Sequence, residues 1–220
     1  MDDLRKILEG MLTPARLERI ATALEARLGA LRVVTENLRN THNMNAVLRT
    51  CEAFGVQHLH VVEGEKDFSI NRKITKGSHK WIDLHRHLSI GDCARELKAE
   101  GFSLYAAMLG RGAVPLDEIP LEKPVAIILG NERTGVSEEA VSYCDGFYTI
   151  PMHGFVQSFN ISVAAAISIY SLSSRMRKER PDHGALSPEE RARVLGVWLP
   201  KTAPYAKKIA KVLAEANPSR

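Results

Sequence analysis

From about residue 31 onward the chain alternates short apolar or β-branched runs with longer stretches of helical spacing, and this alternation constrains the fold more than any other feature. The runs are LRVVTE, VQHLHVV, FSLYAAML, PVAIILG and GFYTIP. Between them, Asn43 to Phe54 ends at Gly55 and Ser89 to Glu100 ends at Gly101; in the second, Ser89 suits an N-cap and the glycine a C-terminal cap. Strand and helix in turn predict a mainly parallel sheet covered on both faces, an α/β fold. The stretch from Gln157 to Ser171 is apolar around most of its circumference, which predicts a helix buried between the sheet and something else, a subunit partner being one candidate.

Before this core, residues 1–32 read as helical: Thr13 can cap, Pro14 suits the first helical position, and Leu17, Ile20, Leu24 and Leu28 recur at helical spacing up to Gly29. After Arg175 the sequence turns basic and irregular around Pro181, Gly184 and Pro188, then offers a last helix-like stretch from Ala203 to Ala216. The expected division is a helical extension over 1–32, the α/β domain over 33–172, and a basic helical tail over 173–220.

Charge follows the same division. Residues 171–220 hold 11 Lys and Arg against 5 Asp and Glu, whereas residues 33–170 hold 13 against 16. A basic segment on a slightly acidic core suggests a polyanionic partner, with a solvated helix surface as the plainer alternative. The opening MDDLRKILEG leads into no long apolar run, so neither a secretory signal nor a membrane span is expected and the location expected is the cytoplasm. Cys51, Cys93 and Cys144 lack any linear zinc-ligand spacing and read as buried thiols, and no metal is expected.

Three polar stretches stand where strands give way to helices. The first is N-L-R-N-T-H-N-M-N-A-V-L-R-T, from Asn37 to Thr50; a helix cap at Asn43 and a surface arginine at Arg49 would account for it. The second, PVAIILGNERTGVSEEA, ends a buried strand at Gly130, carries Asn131, Glu132 and Arg133 in a loop, and restarts a helix near Ser137 with Glu138 and Glu139 in its positive first turn. The third, IPMHGFVQSFNISVAAAISIY, places Ser158 and Asn160 at the entrance to the buried helix, where both could be caps. Strand ends of a parallel sheet are the usual place for a ligand.

Taken in order, N-x-x-N-A-x-x-R-T, G-N-E-x-x-G-V-S and I-P-M-x-G-x-x-Q-S-x-N-x-S-V-A resemble, nearly residue for residue, the three motifs of the SpoU/TrmH family of SPOUT-class RNA 2′-O-ribose methyltransferases. The resemblance runs from about Val33 to Tyr170, and the helical extension and basic tail are similar to those of the tRNA-modifying members. It implies a SPOUT-type fold with a deep C-terminal trefoil knot, a homodimer, and S-adenosyl-L-methionine as the methyl donor. The absence of G-x-G-x-x-G after the first strand agrees with a donor held outside a Rossmann-type crevice.

Matching positions assigns the catalytic group to Arg49, Asn43, Glu132, Ser158 and Asn160, and the cofactor pocket to Ala107, Leu129, Gly130, Ile150 and Phe159. Ala107 and Phe159 stand where related enzymes often carry threonine and leucine. Arg175, Arg177, Lys178, Lys207, Lys208 and Lys211 are the candidate RNA contacts on charge. The activity implied is methyl transfer to a ribose 2′-hydroxyl of tRNA, at guanosine 18 of the D-loop. A target in rRNA or elsewhere in tRNA, and a non-catalytic RNA-binding protein of the same fold, are the alternatives; the short extension before the core favours tRNA.

Overall fold

The computed structural model describes residues 2–63, 68–110, 112–180 and 184–203. Helices α1 (Asp2–Gly10) and α2 (Pro14–Glu25) lead into strand β1 (Leu28–Glu36), followed by α3 (Thr41–Ala53), β2 (Val56–Val62), α4 (Arg72–Thr75), β3 (Asp83–His87), α5 (Ile90–Ala99) and β4 (Ser103–Ala107). The chain continues through β5 (Val114–Pro115), β6 (Val125–Leu129), α6 (Glu138–Tyr143), β7 (Gly146–Thr149), α7 (Ile161–Glu179) and α8 (Pro188–Thr202).

The chain forms two compact units, one of which runs from Leu28 to Ala185. It is built on a seven-stranded sheet in the order β3-β2-β1-β6-β4-β7-β5. Every pairing of these strands is parallel, as alternating strands and helices demand. β6 lies at the centre, and each of its residues, Val125, Ala126, Ile127, Ile128 and Leu129, is fully buried, which explains its unbroken apolar run. On one face Val33, Leu59, Ile127 and Leu129 join Val47 and Leu48 of α3 and Ile169 and Leu172 of α7; on the other, Val34, Ala126 and Ile128 join Cys93 and Leu97 of α5 and Ala140 of α6.

The other unit contains α1, α2 and α8 among the described residues. Its apolar interior is drawn from Leu8, Ile20, Leu24, Val194, Trp198 and Leu199. The Arg27 guanidinium lies 4.8 Å from the centre of the Trp198 ring, and Arg191 pairs with Glu25 at 2.6 Å.

Two expected boundaries shift. β1 begins at Leu28, inside the stretch expected to be helical, because α2 ends at the Ala26 cap and Leu28 and Gly29 pair into the sheet and with Gly184. The boundary expected at residue 172 falls inside α7, which starts at Ile161, four residues later than its apolar pattern suggested, and runs on to Glu179. Buried Met176 and an Arg175–Glu179 ion pair at 3.1 Å, one turn apart, carry the helix through its basic end. The helix expected over Ala203–Ala216 lies outside the described residues apart from Ala203. Among the described residues no helix is long and apolar enough to cross a membrane.

Candidate active site

The C-terminal ends of β4, β6 and β7 lie side by side, so the loops that follow them meet at one edge of the sheet. Between them is a cavity of about 520 Å³, lined by Ala107, Met108 and Leu109 after β4, by Gly130, Asn131, Glu132 and Gly135 after β6, and by Ile150, Met152 and Gln157 to Ile161 after β7. This size is ordinary for a small-molecule site.

The loop after β6 is a closed turn. Asn131 and Gly135 exchange backbone hydrogen bonds of 2.9 Å, and the Asn131 side chain accepts from the Arg133 N–H at 2.9 Å and donates to the Asn37 carbonyl at 2.6 Å. A Cβ on Gly130 would lie 2.3 Å from the carbonyl carbon of Gly135, so the turn tolerates glycine alone. Gly135 has φ +72°, a left-handed conformation that glycine adopts without strain. α6 then starts from Ser137, whose hydroxyl accepts from the Ala140 N–H at 3.1 Å and donates to Glu36 at the end of β1 at 2.5 Å. That pairing ties the turn to the neighbouring strand.

The three polar stretches of the sequence converge here. Asn43 of α3 donates to the Glu132 carboxylate at 3.0 Å, and its side-chain oxygen accepts from Asn160 at 3.4 Å. Asn43 is therefore no cap; Asn40 caps α3, accepting from the His42 N–H at 2.9 Å, and Asn43 is buried. Burial alone would raise the Glu132 pKa, but the Asn43 hydrogen bond and the backbone N–H groups of Glu132, Arg39 and Asn40 outweigh it and hold the carboxyl below its ordinary value. Glu132 is thus anionic at neutral pH. Asn160 caps α7 through the Ser162 N–H at 2.9 Å and also lines the cavity, so the capping and ligand-site readings both apply to it.

Of the residues singled out from the sequence, Ala107, Gly130, Ile150, Phe159, Glu132, Ser158 and Asn160 line the cavity, and Asn43 adjoins it through Glu132. Two stand apart. Leu129 is wholly buried in the core and does not line the cavity. Arg49 is exposed, outside the cavity lining, and donates to the Ile74 carbonyl at 3.5 Å. Of the basic positions, Arg175 pairs with Glu179, Arg177 donates to the Phe54 carbonyl at 3.0 Å, and Lys178 is exposed; Lys207, Lys208 and Lys211 lie outside the described residues. Met108, Leu109 and Met152 line the cavity without having been foreseen, since apolar loop residues carry no periodic signal.

A pocket at the strand ends of a parallel sheet, closed by a glycine-dependent turn and edged by an Asn43–Glu132 pair, defines a ligand-binding α/β protein. The SpoU rRNA Methylase family model matches residues 30–170, and the chain belongs to that family. It is 40% identical over 190 residues to the tRNA (guanosine(18)-2′-O)-methyltransferase of Thermus thermophilus, spanning 86% of this chain and 98% of the relative. The crystal structure of the Aquifex aeolicus TrmH/SpoU tRNA modifying enzyme superposes with a TM-score of 0.77 at 37% identity, covering 89% of this chain and 98% of that one. An S-adenosylmethionine-bound rRNA methyltransferase from Sinorhizobium meliloti is more distant, at 26% identity and a TM-score of 0.62 over 70% of this chain and 58% of that one.

Proposed function

We propose that the chain transfers a methyl group from S-adenosyl-L-methionine to the ribose 2′-hydroxyl of guanosine 18 in tRNA. The observation that carries this reading is the convergence of Asn43, Glu132, Ser158 and Asn160, from three separate segments, on or beside one pocket. The pocket suits the donor chemically. Its walls from Ala107, Met108, Leu109 and Ile150 offer apolar surface for a heterocycle, its polar edge offers Asn131, Ser158 and Asn160, and the Glu132 carboxylate complements a positively charged ligand. The Thermus thermophilus relative, named for guanosine 18 methylation and matched over 98% of its length, supports the substrate.

The donor supplies an electrophilic methyl on a sulfonium, so the protein has to align the hydroxyl and assist loss of its proton. Glu132 holds Asn43, and with Ser158 and Asn160 it shapes the edge at which the ribose enters. Arg49 has a guanidinium with pKa above about 12 and is a poor base. Its role is to bind the adjacent phosphate and stabilise the developing alkoxide, a charge-assisted contact that outcompetes the long, exposed hydrogen bond to Ile74. Lys178, Arg175 and Arg177, together with Lys207, Lys208 and Lys211, add attraction for the RNA backbone.

The reading includes the cytoplasm as location, a deep trefoil knot and a homodimer. Insertion of β7 between the earlier strands β4 and β5 supports a knot in this part of the chain. For the dimer, Val163, Ile167 and Tyr170 recur on one side of α7, with Val163 and Tyr170 exposed, and Phe155 and Val156 of the preceding loop are exposed as well. A second copy is the occupant this stripe fits.

Labelled-methyl transfer into unmodified tRNA tests the activity. The wild-type chain transfers label, and Arg49→Ala lowers kcat by about a hundredfold or more while binding of S-adenosyl-L-methionine stays within about twofold. Turnover by Arg49→Ala close to wild type would remove Arg49 from the reaction.

A further inference from the structure

A second cluster of reactive side chains lies on the opposite side of the sheet's β1 strand, away from the methyl-transfer pocket. β2 and β3 pair in register with His60 beside His85, and the even positions His58 and His60 share the sheet face with Val62, which packs with Cys93 of α5. The rings form a stack: His60 lies 4.4 Å from His85 and 5.2 Å from His87, centre to centre. His58 Nδ1 is 2.9 Å from His85 Nε2, and His60 Nδ1 is 2.9 Å from His87 Nε2.

Four imidazoles at this sheet edge are an expensive way to fill space that valine or leucine would fill. The cost is sharpest at His60, which is 1% exposed and whose Nε2 has no hydrogen-bond partner among the described residues. An unmet buried polar atom of this kind destabilises the fold unless something binds it. Cys93, fully buried on α5, and Glu96, one turn further along the same helix, face the stack. One donor atom each from His60, His87 and Cys93 lie within 4.8 Å of one another, and so do donors from His60, His85 and Glu96.

We propose that His60, His87 and Cys93 bind a divalent zinc-class cation, with Glu96 in the fourth position. Two nitrogens, a thiolate and a carboxylate form the mixed donor set that tetrahedral zinc accepts, at bond lengths of about 2.0–2.3 Å. Those bonds require donor separations of roughly 3.3–3.8 Å, so the side chains close by about an ångström around the ion. The thiolate and carboxylate together cancel the charge of the ion, which matters because the positive charge of Arg32 also acts on His60 and His85. Binding replaces the S–H bond of Cys93 with a metal–sulfur bond and releases one proton to solvent. The site joins β2, β3 and α5, and none of its ligands lines the methyl-transfer pocket, so its role is to clamp this edge of the sheet.

The test uses the full, tag-free chain, stripped with a chelator and titrated with Co²⁺ as a spectroscopic stand-in for zinc. One Co²⁺ per chain is expected to bind, with the visible bands of tetrahedral cobalt and a near-ultraviolet thiolate-to-cobalt band, both abolished by equimolar Zn²⁺. Cys93→Ser, which preserves side-chain size, should lose the thiolate band and bind at least tenfold more weakly, and His87→Gln repeats the measurement from β3. Absence of a thiolate band in the wild-type chain would overturn the proposal, as would its persistence in Cys93→Ser.

Discussion

Glu132 shows how a single residue's surroundings set its charge. Desolvation favours the neutral acid, whereas the Asn43 amide and three backbone N–H groups favour the carboxylate and prevail. Because the pKa in the folded chain lies below the ordinary 4.5, the stabilisation from these hydrogen bonds is present in full above that value and is lost as pH falls through the depressed one. Calorimetric binding of S-adenosyl-L-methionine should therefore be flat from neutral pH to about pH 5 and weaken only in more acid solution. Glu132→Gln should bind the donor more weakly at pH 7, by about tenfold, and lose the acid limb. An unchanged acid limb in that variant would assign the titration to another group. Asn43 was legible in the sequence as one member of a polar stretch and, through the family resemblance, as a member of the catalytic group, but its partners were not: spacing alone allowed a helix cap, and only the fold reveals that Asn40 takes that place and Asn43 turns inward to Glu132.

At the scale of elements, the turn from Gly130 to Ser137 carries the most structure per residue. Its glycine is required by contact with its own loop, and its terminal serine both caps α6 and donates to buried Glu36. Gly130→Ala should open the turn, weakening donor binding at least tenfold with a lowered Tm. Ser137→Ala removes the cap and one donor to a buried carboxylate, and should cost about 2–4 kcal/mol in chemical denaturation, with donor binding less affected. Equal donor affinity in Gly130→Ala and wild type would contradict the closed turn. Helix starts of this kind were legible, since Thr13, Ser89 and Ser137 each accept the N–H three residues on, as the sequence suggested. β3 and β5 were not. DLHRH has neither an apolar run nor clean alternation and sits at the sheet edge, and β5 is two residues long and contains a proline. α7 began later than its apolarity indicated because Asn160 takes the N-cap position, accepting the Ser162 N–H, which leaves Gln157 to Phe159 in the loop that lines the cavity.

At the scale of the molecule, that exposed apolar surface bears on assembly. Light scattering should give twice the 24.4 kDa chain mass at micromolar concentration, and Val163→Glu with Tyr170→Glu should shift the chain toward monomer. A monomeric wild-type mass would remove the second copy from the account. The parallel α/β class was legible because period and alternation are local properties of the chain. The sheet order was not, since placing β7 between β4 and β5 depends on contacts between residues far apart in sequence. The site lies between: its motifs were readable, their meeting at one cavity was an expectation until the strand ends were placed, and Arg49 remains outside the cavity. The activity is tested most directly by treating unmodified tRNA with the chain and S-adenosyl-L-methionine and mapping the product by mass spectrometry of nuclease fragments. A single added methyl on the ribose of guanosine 18 is expected, absent when that nucleotide carries a 2′-hydrogen; methylation of a base, of another nucleotide, or of none would contradict the assigned activity.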